Sequence, residues 1–191
     1  MTRVGVLALQ GDVREHREML DSLEVETVAV KRPDDLNGLD GIVFPGGEST
    51  AIAHLLKSSG LAESLSGLIR DDFPVFGTCA GLILLSSEIL DGRADQWSFS
   101  ALDVSVRRNG YGRQIASFEV PVEIDGLGEY EAVFIRAPRV ERVSDSVRVL
   151  ASLDKDGDHP VLIRQGNLWG CSFHPELTAD SRIHGAFVES L

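Results

Sequence analysis

Hydrophobic and polar positions fall into two textures along this chain. Residues 3–9 are almost continuously apolar, as in a strand buried on both faces of a parallel sheet. Gln10-Gly11 interrupts the run, and Val13, His16, Leu20 and Leu23 then recur at helical spacing. Asp12 reads as the helix N-cap, with Glu15 as the second half of a capping box. On this face His16 reads as a packed histidine rather than a catalytic one. Glu26–Val30 and Gly41–Phe44 read as two further strands, with Pro33-Asp34-Asp35-Leu36 as a connector. Ala51, Ile52, Leu55 and Leu56 mark one helix; Leu61, Leu65, Leu68 and Ile69 mark the next. Strands, helices and loops alternate in this way to about residue 90. That order predicts an α/β fold with a doubly wound, mostly parallel sheet flanked by helices.

From Asp91 the texture changes. Residues 103–107, 118–124, 132–135, 148–152, 161–165 and 168–172 are short strand candidates with few helices between them. Antiparallel strands are therefore expected in the C-terminal half. Asp154-Lys155-Asp156-Gly157-Asp158 lacks the length and the closing Glu of a calcium loop and reads as a hairpin turn. The chain closes with a helix whose apolar face is Ile183, Ala186, Phe187 and Leu191.

The 191 residues suit one domain, 1–191, and 43% hydrophobic with 25% charged residues is ordinary for a soluble globular protein. Met1-Thr2-Arg3-Val4 has no signal-peptide layout, and no apolar run approaches the length of a membrane span. Two cysteines are too few for a disulfide framework, so a cytoplasmic location is expected. No metal-ligand spacing appears, and neither a metal nor a cofactor is expected. The net charge of −12 argues against nucleic acid or a membrane as partner. Only Lys31, Lys57 and Lys155 are lysines, against 30 acidic residues, a balance suited to concentrated salt.

Pro74-Val75-Phe76-Gly77-Thr78-Cys79-Ala80-Gly81 carries the strongest chemical signal. A short apolar run enters Gly-x-Cys-x-Gly and a second apolar run follows, the layout of a strand–turn–helix nucleophile elbow. Gly77 and Gly81 would leave room for the bend. Cys79 at a helix N-terminus would be favoured as thiolate, and the Ala80 N–H could donate to an oxyanion. A small buried cysteine is the plain alternative.

Other candidates lie at strand ends. Pro45-Gly46-Gly47-Glu48-Ser49-Thr50 follows a strand and precedes a helix, where open α/β sheets bind ligands; a turn capped by Ser49 or Thr50 is the alternative. Arg107 to Gln114 is a polar, glycine-bearing loop able to hold a carboxylate or phosphate, or else a solvated turn. Arg136 closes an apolar strand, as an anion clamp or a surface charge. His174 ends another strand, with Glu176 two residues on to orient its ring. Cys171 reads as packing; His54, His159 and His184 read as surface residues of helices or loops.

With these pieces together the chain resembles the class I (triad) glutamine amidotransferases, which have a flavodoxin-like sheet. Within them it resembles the glutaminase subunits of pyridoxal 5′-phosphate synthase. The matching stretches are residues 5–16, 45–50 and 77–85, Arg108-Asn109 with Gly112-Arg113-Gln114, residues 117–119 and 134–138, and His174-Pro175-Glu176-Leu177-Thr178. The resemblance implies that Cys79 attacks L-glutamine to give a thioester and ammonia, with His174 shuttling the proton and Glu176 orienting it. It implies an oxyanion hole from Gly47 and Ala80, and glutamine held by Gly47, Glu48, Ser49, Arg108, Ile135 and Arg136. It also implies delivery of ammonia to a (β/α)₈ synthase subunit, in a double ring of twelve copies of each chain. Residues 94–101 depart from the usual run. Two other functions remain open: glutaminase subunit of another biosynthetic amidotransferase, such as the histidine-pathway enzyme, or a non-catalytic regulatory module.

Overall fold

The computed structural model describes residues 1–93, 95–111, 117–154 and 157–191. The first half follows the expected alternation. β1 (Arg3–Leu7), α1 (Val13–Asp21), β2 (Glu26–Val30), β3 (Gly41–Phe44), α2 (Ser49–Ser58), α3 (Leu61–Arg70), β4 (Val75–Thr78) and α4 (Ala80–Leu85) follow one another, with a 3₁₀ turn at Pro33–Leu36. β5 (Ser86–Ile89), β6 (Leu102–Arg107), β7 (Ser117–Ile124), β8 (Gly128–Ile135), β9 (Arg139–Val143), β10 (Arg148–Ser152), β11 (Pro160–Gln165) and β12 (Leu168–Cys171) come next. A 3₁₀ turn, Pro175–Leu177, and α5 (Arg182–Glu189) close the chain. β1 stops at Leu7, two residues short of the apolar run.

One seven-stranded sheet has the order β10-β11-β12-β4-β3-β1-β2. From β12 to β2 all its neighbours are parallel, while β10–β11 and β11–β12 are antiparallel. Part of the antiparallel pairing expected in the C-terminal half is thus one wing of the same sheet, and β6–β9 and β7–β8 supply the rest outside it. β5, β6 and β9 form a three-stranded sheet, and β7 and β8 an antiparallel hairpin. Of the turn expected at 154–158, Lys155 and Asp156 lie outside the described residues.

The strand period of two sorts the central sheet into two cores. Leu7, Ile42, Phe44 and Val75 pack on one face with Ile52, Leu56, Leu61 and Leu65 of α2 and α3. Val4, Val6, Val43 and Phe76 pack on the other with Leu20 of α1 and Ile183 and Phe187 of α5. Because both faces are covered, β1, β3 and β4 read as continuous apolar runs. Among the described residues, no helix is long and apolar enough to cross a membrane.

Candidate active site

The C-terminal ends of β1, β3, β4 and β12 meet at one edge of the sheet, and the chemistry collects there. β4 ends at Thr78 and α4 begins at Ala80, so Cys79 alone makes the turn, with φ 48° and ψ −102°. This positive φ is costly for a residue with a Cβ and is held by its surroundings. The Cys79 N–H donates to the Cys171 carbonyl of β12 at 2.8 Å, and its carbonyl accepts from Ile83 N–H at 3.3 Å. The flanking glycines are required by contact. A Cβ on Gly77 would lie 2.6 Å from the Gly81 carbonyl carbon, and one on Gly81 only 2.1 Å from the Phe44 carbonyl oxygen.

His174 sits just beyond β12, where its N–H donates to the Val133 carbonyl of β8 at 2.8 Å. Tyr130, also on β8, donates or accepts at Pro175, Thr178 and Asp180 and so pins the turn that follows. The antiparallel hairpin therefore serves as a bracket for His174 and Glu176. His174 Nδ1 lies 2.7 Å from Glu176 Oε1, and both side chains are almost wholly buried. A second carboxylate, Asp12 Oδ2, stands 3.5 Å from the same nitrogen. Burial pulls the His174 pKa down, but the side chains of Asp12, Cys79 and Glu176 together raise it to about 12. Burial also raises the Glu176 carboxyl, against the pull of His174. The imidazolium is therefore the favoured form at neutral pH. Asp12, His174 and Glu176 together resemble a ligand set, their donor atoms within 4.8 Å of one another. The ring nitrogen they share is already engaged by Glu176.

Three expectations need correction. Asp12 precedes α1, but its carboxylate makes no cap bond; it faces His174, while Glu15 pairs with Arg14 at 2.9 Å. The attraction of an imidazolium outweighs that of the helix amides. The cap of α2 is Glu48, neither Ser49 nor Thr50: its carboxylate accepts from Thr50 and Ala51 N–H at 3.1 and 2.6 Å. His184 is fully buried, its ring 2.9 Å from His16 Nδ1 and edge-on to Phe76. At a helix spacing of one residue from Ile183, nothing in the sequence separated it from the surface face. His16 is packed and buried as expected. His54 is exposed beside Asp95, and His159 pairs with Asp154. Cys171 is fully buried, with burial holding its thiol well above the usual range.

A cleft of about 410 Å³ opens over Cys79 and His174. Gly47, Glu48, Ser49, Arg108, Ile135 and Arg136 all line it, so the structure brings the sequence candidates together. Ala80 is buried directly behind Cys79. Arg108 Nη2 pairs with Glu48 Oε1 at 3.0 Å, while its N–H donates to Asp91 at 2.7 Å. Arg136 has φ 43°, which turns the chain at the end of β8. Gly112, Arg113 and Gln114 of the arginine loop lie outside the described residues, as does Ala94 of the 94–101 segment. Within that segment Gln96 Oε1 accepts from the Thr50 hydroxyl at 2.8 Å.

Asn109 of the arginine loop lines the cleft too, and so do three residues to which the sequence assigns no binding role: Gln10, Asp12 and Leu177. Gln10 Oε1 accepts from Glu48 N–H at 2.9 Å and fixes the glycine loop. Its position just past β1 was the available signal. A larger cavity, about 710 Å³, lies at the opposite end of β4 and β12, between Arg70, Asp72, Gln165 and Asn167. Its described lining holds neither a cysteine nor a histidine.

The chain is 51% identical over 187 residues to a "Pyridoxal 5'-phosphate synthase subunit PdxT" of Mycobacteroides abscessus, covering 97% of this chain and 95% of that one. The protein of the same name from Pseudothermotoga lettingae is 50% identical, with 97% and 94% covered. A solved structure titled "Crystal structure of glutamine amidotransferase" superposes with a TM-score of 0.92 at 46% identity, covering 98% of this chain and 97% of that chain. The model of the SNO glutamine amidotransferase family matches residues 6–191. That match spans nearly the whole chain, and this chain belongs to the SNO glutamine amidotransferase family.

Proposed function

We propose that the chain hydrolyses L-glutamine to L-glutamate and ammonia as the glutaminase subunit of pyridoxal 5′-phosphate synthase. The observation that carries this reading is the strained Cys79 in one cleft with the buried His174–Glu176 pair. Cys79 Sγ attacks the side-chain amide carbon of glutamine and the carbonyl π electrons move to oxygen. Gly47 and Ala80 N–H groups receive that oxyanion. His174, whose Nδ1 is taken by Glu176, gives the proton of its other nitrogen to the leaving amine, and ammonia departs. Water then attacks the thioester as His174 takes its proton, and glutamate leaves with Cys79 restored. Arg108 and Arg136 suit the substrate's α-carboxylate, and Glu48 its α-ammonium; Ser49 and Ile135 complete the walls.

The ammonia passes to a (β/α)₈ synthase subunit, in a double ring of twelve copies of each chain, in the cytoplasm. A glutaminase subunit for another biosynthetic amidotransferase would carry the same triad. Identity near 50% across nearly the whole length of relatives named for pyridoxal 5′-phosphate synthase favours the first reading. The intact Cys79, His174 and Glu176 cluster argues against a non-catalytic module. The test is glutamine hydrolysis in the presence of the synthase subunit. Cys79→Ala is expected to fold and to lose roughly 10⁴-fold or more in kcat. A diazo-oxo-norleucine label should map to Cys79; a label on buried Cys171 would sink the assignment.

A further inference from the structure

Behind the triad lies a buried polar chain that glutamine hydrolysis as written does not use. We propose that His16 is a positioning residue for the reaction: its Nε2–H holds the free oxygen of Glu176, and His184 fixes the tautomer that makes this possible. The inference rests on the reading of Cys79, His174 and Glu176 as the triad.

Glu176 divides its oxygens. Oε1 takes His174 Nδ1 at 2.7 Å, while Oε2 faces His16 Nε2 at 3.4 Å. Among the described residues Oε2 has no hydrogen-bond partner, which leaves His16 Nε2 at 3.4 Å as a polar atom facing an unsatisfied carboxylate oxygen. His16 Nε2 also lies 3.0 Å from Thr78 Oγ1, and His16 Nδ1 lies 2.9 Å from His184 Nε2. His184 Nδ1 is buried without a partner.

Two neutral arrangements are possible, and one is much better. If His16 carried its proton on Nδ1, it would donate to His184, and His184 would be left with a buried orphan N–H. The lone pair of His16 Nε2 would then face a carboxylate oxygen. If His16 carries its proton on Nε2, that proton lies between Thr78 and Glu176. His184 Nε2–H then donates to His16 Nδ1, and the unpartnered atom is only a lone pair. A buried orphan donor beside a repulsive contact costs more than a buried orphan acceptor, so the second arrangement wins. Burial holds both rings neutral: the pKa of His16 falls well below 6.5, helped by His184 and His174, and that of His184 falls to about 3. The groups facing Glu176 are His174 beside it, Asp12 before α1, His16 from α1, Tyr130 from β8 and Cys171 from β12. Of these, His174 hydrogen-bonds Oε1, and His16 places a ring nitrogen 3.4 Å from Oε2.

The experiment uses side-chain geometry. An Asn amide falls near the Nδ1 position of histidine and a Gln amide near Nε2. His16→Asn, assayed with the synthase subunit present, should lower kcat about tenfold or more with little change in KM. The acid limb of kcat/KM should move to higher pH, because a carboxylate with one fewer donor protonates sooner. His16→Gln should restore both. Long-range ¹H–¹⁵N spectra of the unaltered protein should show His16 and His184 as neutral Nε2–H tautomers at pH 7. That readout is independent of activity, so it separates this inference from the glutaminase reading, which Cys79→Ala tests. An Nδ1–H tautomer at His16, or a folded His16→Asn protein with an unmoved acid limb, overturns the proposal.

Discussion

His174 and His184 are both buried in one polar chain, yet one is charged and the other neutral. Burial depresses the pKa of each ring. At the catalytic end Asp12, Cys79 and Glu176 reverse that effect and raise His174 to about 12. At the interior end, among the described residues, burial alone acts on His184, and it falls to about 3. The difference teaches that depth does not set the charge of a buried histidine; the carboxylates within reach of its nitrogens do. His16 stands between the two ends, neutral, with one nitrogen toward each.

The largest test removes the carboxylate. Glu176→Gln leaves His174 with only Asp12 at 3.5 Å and moves it toward the condition of His184. Glutamine hydrolysis should fall by about 10³- to 10⁴-fold in kcat, as when the acid of a serine triad is neutralised. The His174 pKa, followed by NMR, should drop below its present value of about 12. A variant that keeps nearly full activity would mean that Asp12 is the partner that counts.

A smaller loss is expected from the glycine loop, which has no side chain to fix it. The Gly46 carbonyl accepts from Asp12 N–H at 3.3 Å, and across the trans peptide the Gly47 N–H points the opposite way. A Gly–Gly peptide flips with little steric resistance. Losing one oxyanion donor costs about 3–4 kcal/mol, or roughly a hundred- to thousandfold in rate. A synthase subunit that binds one orientation selects it. The isolated chain should therefore hydrolyse glutamine about a hundred- to thousandfold more slowly than the assembled pair. Equal kcat with and without the synthase rejects the gate.

The contrast between the two ends of the chain also marks what was legible. β2 and β3 are legible to the residue: β3, buried on both faces, is a bare apolar run, and β2, at the edge of the sheet, is rich in β-branched residues. Cys79, His174 and Glu176 were readable because their neighbours in sequence are their neighbours in the site. β5 and β9 were not. Each is a mixed polar run, Ser-Ser-Glu-Ile and Arg-Val-Glu-Arg-Val, in a small sheet with half-exposed strands. His184 was misplaced because its partner, His16, is 168 positions away. The second carboxylate on His174 was read as a helix cap, a local pattern that a distant charge overrides.

The interior end makes a prediction about stability. In the unfolded chain His184 titrates near 6.5, and in the folded protein near 3. Between these values the unfolded state binds a proton that the native state refuses, so stability rises with pH in that window and falls on acidification. The slope is at most about 1.4 kcal/mol per pH unit for one histidine. His174 has the opposite sign: its contribution is complete below 6.5 and lost as pH climbs toward about 12. Denaturant unfolding of His184→Gln between pH 6 and 4 should give a shallower loss than the unaltered protein. Parallel curves would show that His184 is already charged in the fold.

The smallest effect belongs to the surface, where solvent screens what burial protects. The chain carries 30 acidic against 18 basic residues, for a net charge of −12. Several arginines are already paired: Arg3 with Glu26, Arg107 with Glu141, Arg142 with Asp103 and Arg148 with Asp125. Salt weakens such exposed pairs, each worth about 0–1 kcal/mol, and so works against stability. It also screens repulsion among the carboxylates, which outnumber the bases 30 to 18. At about 1 M the screening length falls to roughly 3 Å, shorter than most carboxylate spacings but no obstacle to the buried His174–Glu176 contact. The surplus decides the sign. The melting temperature should rise steadily from dilute to molar potassium chloride, while the NMR shifts of His174 and His184 stay in place. A flat or falling melting curve would show that the arginine pairs already balance the surface.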